Sequence, residues 1–293
     1  MFWPVMCIAT FFRTLKEQSV FLRKHKTFNN YNNERVRFMT KNIVIVVGHG
    51  SRVQKSNDAF KHFIEQFARR VPEYDFRTAF VELAKPGLSD ALHDALACAE
   101  EVSVLPLFLL TAEHIKHDIV DVVNETRDTF REKKIYLSQA MGVDRNMVDL
   151  VNKRIVQACA THAIDTSDAA ILMIGRGSSD PGATSDFCKL VRLVTEKADY
   201  KRVDHGFIAM AKPTVEETLN HLIKEGYRSI LLEPYLIFNG LLFQRLGLLT
   251  NSYTQNFPDL TIKLATTLGE DPLLFDLFEQ RLRDKSYDAA GTK

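Results

Sequence analysis

Three residues stand out for the chemistry they could do together. His49 follows the apolar run Ile43-Val44-Ile45-Val46-Val47 and lies between Gly48 and Gly50. Glu82 closes the segment from Phe76, and His114 falls just after Val102-Ser103-Val104-Leu105-Pro106, where a long helical pattern begins. If the apolar runs are parallel strands, all three residues belong to their carboxyl ends, where open α/β sheets bind ligands. Two imidazoles and a carboxylate, without a thiolate, suit a borderline divalent metal such as Fe(II), Co(II) or Ni(II). His117, three residues on, shares a helix face with His114 and is a further candidate ligand, with Asp118 beside it. Each residue alone has a plainer explanation: a solvated histidine, or a Glu82 paired with Lys85 at the surface. Their joint position at three strand ends favours the metal reading.

The elements that must position them are regular from Lys41 onward. A continuous β-branched run reads as a strand buried on both faces, and Phe60, Phe63, Ile64 and Phe67 then recur at helical spacing. Strands at Phe76–Glu82, Val102–Leu105 and Ile135–Leu137 alternate with helices opening near Pro86, at Glu113–Phe130 and at Arg145–Ala160, which means a parallel sheet with right-handed crossovers. Thr161 to Asp168 reads as a linker, after which the pattern restarts. Ala170 to Ser178 repeats the first strand and turn at an offset of 127 residues, Phe207 to Pro213 repeats Phe80 to Pro86 at the same offset, and Ile230 to Leu236 repeats Val102 to Phe108 at 128. The expected architecture is therefore two similar α/β lobes, 41–160 and 168–285, each a parallel sheet flanked by helices, with an active-site cleft between them. In the second copy the three polar positions hold Arg176, Ala209 and Leu242. The first lobe is expected to carry the one working site and the second to form its opposite wall.

Residues 1–40 read differently. Seven Lys or Arg against two Glu fall within residues 1–38, with an Asn-rich patch at Asn29 to Asn33 that breaks any amphipathic helix. The expectation is a basic, disordered or weakly helical extension, with Met39 standing ahead of the first strand as a start; a targeting segment is the other reading. The whole chain has 38 Lys and Arg against 37 Asp and Glu, which leaves −4 beyond residue 38. Such a balance gives no general pull toward nucleic acid, and no run reaches the roughly 18 apolar residues of a membrane helix. Four scattered cysteines suggest neither a thiolate zinc site nor a disulfide framework, and fit a reducing cytoplasm. Gly48-His49-Gly50 lacks the third glycine of a dinucleotide fingerprint and the Gly-Lys-Ser/Thr of a P-loop, so no nucleotide or other organic cofactor is expected.

The segments Val47-Gly48-His49-Gly50-Ser51-Arg52, Phe80-Val81-Glu82-Leu83 with Pro86, Pro106 through Ile119, and Ile174-Gly175-Arg176-Gly177-Ser178-Ser179-Asp180-Pro181 resemble the long, two-domain sirohydrochlorin chelatases, a class II chelatase family. Val120 stands where many members have proline. The resemblance implies ATP-independent insertion of a divalent metal into sirohydrochlorin within a bilobal fold; a monomer is the expected state of the chain. It makes His49 and His114 metal-binding and catalytic residues and Glu82 their acidic partner, which either adds a ligand or relays protons. The third motif is closest to members that make sirohaem, so Fe(II) is the expected metal, with Co(II) insertion for corrinoid synthesis as the alternative. A non-enzymatic metal or tetrapyrrole carrier is a second alternative. Metallation releases two pyrrole protons, which imidazole or carboxylate can accept near neutral pH. The substrate's eight carboxylates call for a local basic rim, for which Arg52, Lys55, Lys85 and Lys116, with Ser51 at a helix start, are the candidates.

Overall fold

A strand with branched apolar side chains on both faces needs cover from two sides, and the first strand receives it. In this computed structural model residues 42–110 and 112–284 are described, apart from the side chains of 113–116. The basic extension expected over residues 1–40 lies outside the described residues. Strands β1 (Asn42–Gly48), β2 (Tyr74–Phe80), β3 (Glu101–Pro106) and β4 (Lys134–Leu137) form a parallel sheet in the order β2-β1-β3-β4. Helices α1 (Gln54–Arg70), α2 (Leu88–Leu96) and α3 (Glu113–Thr129) make the crossovers, and α4 (Arg145–His162) follows. Strands β5 (Ala170–Gly175), β6 (Arg202–Phe207), β7 (Ser229–Pro234) and β8 (Thr261–Leu264) form a second parallel sheet in the order β6-β5-β7-β8. Their helices are α5 (Pro181–Lys197), α6 (Val215–Lys224), α7 (Leu241–Asn256) and α8 (Pro272–Arg283). The identical strand order in both sheets is what the sequence repeat requires.

Ile43, Ile45 and Val47 of β1 are buried with α2 and α3 on the outer face of the first sheet, and Val44 and Val46 face the inner layer with Phe60, Phe63 and Phe67 of α1. The second sheet is covered on its outside by α6 and α7. One continuous apolar core joins the inner faces of both sheets. Within it the last helix of each half crosses over. The fourth helix, α4, packs on β7 and α5 of the second lobe, and α8 packs on β3 of the first. Phe275 and Phe278 of α8 meet Phe63 and Phe67 of α1, with ring centroids 4.8–5.8 Å apart. Ionic contacts follow the same exchange: Arg281 of α8 donates to the carbonyls of Ala140 and Met141 and to Asp144 at 2.9–3.1 Å. Arg70 of α1 pairs with Asp276 and Glu279 of α8. In return Lys153 and Arg154 of α4 reach Asp271, the N-cap of α8, at 2.7 and 3.3 Å.

Most element ends fall within two residues of expectation, and two of the differences have a clear physical cause. The β2 strand stops at Phe80, before Glu82, because the Val81 and Glu82 N–H groups bond beyond the β1 ladder, to the carbonyls of Gly48 and His49. The next residue, Leu83, is left-handed at φ 61°. Helix α4 runs to His162, past Ala160, and closes when Ala163 turns left-handed and donates to the Cys159 carbonyl.

Candidate functional site

His49 leaves the end of β1, and two glycines decide where it sits. A Cβ on Gly48 would lie 2.7 Å from the ring of Phe60, so its absence lets α1 pack close against the strand. Gly50 has φ +91°, and a Cβ there would fall 1.8 Å from the Glu82 carbonyl oxygen. Only glycine permits that approach. With it, the Glu82 N–H donates to the His49 carbonyl at 3.0 Å, and the Glu82 carboxylate comes to lie beside the imidazole, Oε1 at 3.4 Å from Nδ1. Nδ1 is buried and makes no hydrogen bond of good geometry; the His49 side chain as a whole is 26% exposed and Glu82 56%. The pair is thus open on one side, with Nδ1 turned inward toward the carboxylate and Nε2 left as the nitrogen that can meet an incoming group. A carboxylate behind one ring nitrogen orients the ring so that the other nitrogen faces outward.

The sequence raised a surface pair of Glu82 with Lys85. Lys85 instead reaches Asp90 at 3.5 Å, which leaves Glu82 to the histidine. Ser51 uses its hydroxyl locally, accepting from the Val53 N–H at 3.1 Å, while its carbonyl accepts from Asn57. Arg52 and Lys55 are exposed, and His117 is exposed on the second turn of α3. The side chains of His114 and Lys116 lie outside the described residues; the backbone places both in the first turn of α3, beyond the carboxyl end of β3. Among the described residues no group of three or more His, Cys, Asp or Glu is gathered around one point. Of the expected ligand set, His49, Glu82 and His117 are described, and of these His49 and Glu82 pair with each other.

Between the lobes lies a cleft of about 320 Å³, bounded on one side by Val53, Lys55 and Ser56 at the start of α1 and on the other by Phe238, Leu241 and Gln244. Both walls stand at the carboxyl ends of their sheets, so the cleft opens at the end where His49 and Glu82 sit. Its lower part carries a pair linking the lobes, His62 to Glu270 at 3.5 Å. The starts of α1 and α5 occupy equivalent places in the repeat but end differently. Asp180 caps α5 by accepting from the Gly182 N–H, whereas Val53, in the N-cap place of α1, gives no side-chain cap. Of these two helix starts only that of α1 has amides without a side-chain cap, where an anionic group is favoured.

The sequence reading passed over several of these features. The cleft wall from the second lobe has no chemical signature, since Phe238, Leu241 and Gln244 are ordinary residues. Glu233 was visible, as a lone carboxylate in the apolar run of β7 where the first lobe has Leu105, and it is fully buried with both oxygens unpaired. Burial pushes its carboxyl well above the ordinary range, against the pull of Arg154.

Comparison with known proteins agrees with the repeat. The CbiX family model matches residues 43–158 and, a second time, residues 170–285. A sirohydrochlorin cobaltochelatase of Priestia megaterium is 29% identical over 82% of this chain and 79% of its own length. A sirohydrochlorin ferrochelatase of the same organism is 31% identical over 69% of this chain and 76% of its own. The solved structure of SirB from Bacillus subtilis with Fe3+ superposes with a TM-score of 0.73 at 27% identity, covering 86% of this chain and 98% of that one.

Proposed function

The chain belongs to the CbiX family of two-lobed sirohydrochlorin chelatases, and on that premise we propose that it inserts a divalent metal ion into sirohydrochlorin without ATP. Metal and macrocycle are both substrates. The observation that carries the reading is the His49 and Glu82 pair, held at 3.4 Å at the carboxyl end of the first sheet and without a counterpart in the second, where Arg176 and Ala209 stand. Insertion exchanges two pyrrole N–H protons for one M2+ ion, so the site must deliver a metal and remove two protons. Glu82, behind Nδ1, keeps Nε2 of His49 free to bind the ion or to accept a proton, and stabilises the imidazolium that acceptance creates. His114, at the start of α3, is the second histidine of the proposal, with His117 one turn further along as an additional ligand. Uncapped amides at the start of α1, with Arg52, Lys55, Lys85 and Lys116, meet the substrate's carboxylates.

Iron is the metal we propose, on the likeness of the Pro106 to Ile119 segment to sirohaem-forming members. Cobalt is the second reading, supported by the similarity to a cobaltochelatase at nearly the same identity as to a ferrochelatase. The ligand types suit both ions, and availability often decides between them. Anaerobic spectra of sirohydrochlorin with the protein and Fe(II) or Co(II) test the reading. Turnover is expected with one or both ions, and a His49→Ala, His114→Ala double variant is expected to fall to the uncatalysed rate. Undiminished insertion by that variant refutes the site. Stoichiometric binding without turnover would instead identify a carrier.

A further inference from the structure

Two turns in this molecule hold a bulky residue in a conformation that bulky residues avoid. After β2, the Ala84 N–H donates to the Glu82 carbonyl at 2.8 Å, closing a three-residue γ-turn around Leu83 at φ 61°. After β6, the Ala211 N–H donates to the Ala209 carbonyl at 2.7 Å around Met210 at φ 60°. A γ-turn with positive φ is rare, and a side chain at its centre is strained. Glycine or asparagine would fill the place more comfortably, yet both copies carry a large apolar residue. Each turn is locked the same way, by the following lobe-specific contacts: Glu82 N–H to the His49 carbonyl and Ala209 N–H to the Arg176 carbonyl, both 3.0 Å, with Gly50 and Gly177 pressed against the turn carbonyls.

The second copy has lost both its histidine and its carboxylate, so the turn was not retained there to place an ion pair. Nor do the central side chains serve the core, since Leu83 is 48% exposed and Met210 67%. Besides the Ala-Lys-Pro that follows each turn with its cis Lys-Pro bond, the two turns have in common an apolar side chain pushed outward at the carboxyl end of a strand. Among the described residues eight large hydrophobic side chains are exposed, and four of them, Val53, Leu83, Met210 and Leu241, stand at this one end of the two sheets. Val53 and Leu241 line the cleft directly. Leu83 and Met210 stand outside that lining, at the same end of the sheets, where exposed apolar side chains are available to be covered by a ligand larger than the cleft. Tetrapyrroles present two wide apolar faces with carboxylates confined to the rim, and the amides and cations already described can meet only the rim.

We propose that Leu83 and Met210 are positioning residues that hold the apolar face of the tetrapyrrole, one from each lobe, a role that rests on the chelatase reading. Strain at their backbone is retained because it directs these side chains out of the fold and toward the macrocycle. The test uses Leu83→Asn, Met210→Asn and the double variant in the full chain, since asparagine tolerates the left-handed turn and leaves the backbone in place. Quenching of sirohydrochlorin fluorescence without metal reads binding, and steady-state rates read KM for each substrate. Each single variant should weaken sirohydrochlorin binding and raise its KM about tenfold, with KM for the metal and the thermal midpoint little changed. Leu83→Met and Met210→Leu should restore parental values, a rescue that a purely structural role does not predict once the asparagine variants are folded. A double variant whose sirohydrochlorin affinity stays within about twofold of the parent overturns the proposal. A parent chain that binds the macrocycle but inserts no metal refutes the chelatase reading alone, and the binding comparison still decides the role of these residues. A parent that binds no macrocycle overturns both.

Discussion

Replacing Glu233 by leucine, the residue at the matching place Leu105 of the first lobe, should make the protein more stable. Glu233 lies on the inner face of β7 between Leu231 and Tyr235, fully buried, with neither oxygen bonded. The groups that face it are Arg154 and Cys159 of α4 and Tyr200, whose own hydroxyl is pushed up to about 12, mainly by burial. Arg154 commits its Nη atoms elsewhere, to Asp271, the Leu268 carbonyl and Gln157, and its buried Nε makes no hydrogen bond to Glu233 or to any other group. An unsatisfied buried polar group costs about 1–3 kcal/mol. Glu233→Leu should recover that amount, which for a body of this size raises the unfolding midpoint by roughly 2–10 °C. The effect must also depend on pH. The folded carboxyl titrates above the unfolded one, so the native state holds a proton that the unfolded state has released, and stability falls as pH rises above the ordinary carboxylate range toward the folded pKa. The slope is about 1.4 kcal/mol per pH unit in that window, and Glu233→Leu and Glu233→Gln should both remove it. Urea unfolding of parent and variants at pH 5, 6, 7 and 8 measures the difference. If Glu233 were ionised and paired with Arg154, the leucine variant would instead lose about 3–5 kcal/mol. A loss of that size, or a gain that is flat with pH, refutes the reasoning.

Other perturbations have equally definite outcomes. Gly50→Ala and Gly177→Ala should each destabilise by about 1–3 kcal/mol in chemical denaturation, because both drive a Cβ onto a turn carbonyl at positive φ; only Gly50→Ala should also weaken metal binding in titration calorimetry, by separating Glu82 from His49. Arg281→Ala, which removes donors from two carbonyls and the Asp144 carboxylate, should cost about 2–3 kcal/mol by urea unfolding. His62→Ala should change stability by less than about 1 kcal/mol, since its contact with Glu270 is open to solvent, and a larger loss would mean that this pair carries the lobe interface. Glu82→Gln should lower the metal-insertion rate at saturating substrates while leaving sirohydrochlorin affinity within about twofold, which a fluorescence titration checks.

Much of this architecture is legible in the chain. Runs such as Ile43–Val47 and Ala170–Ile174 can only be strands covered on both faces, and their recurrence with the Gly-x-Gly-Ser turn exposes the duplication. The nearness of His49 and Glu82 follows from parallel strands alone, since residues past the ends of neighbouring strands meet. Other features are hidden for identifiable reasons. The amphipathic pattern of α4 and α8 says that one face is buried, but not that the sheet beneath it belongs to the other half of the chain. Leu83 and Met210 carry no turn signal, because left-handed backbone is announced by glycine or asparagine and these are neither. Gly50 reads as a bend, yet its closeness to the Glu82 carbonyl is a tertiary contact without a local trace. Glu233 differs from Leu105 in letters alone; that it is fully buried and unpaired depends on the packing of α4 against β7.

The crossing of α4 and α8 sets how the molecule can move. Lobes joined by a single connecting segment swing about it, and their jaws open and close around a guest. Here each lobe grips a rod rooted in the other, so rotation about the 161–168 segment would drag two helices through a close-packed layer of phenylalanines. Widening or narrowing the gap between the jaws therefore works against that shared interior, so the resting width is set by packing far from the mouth.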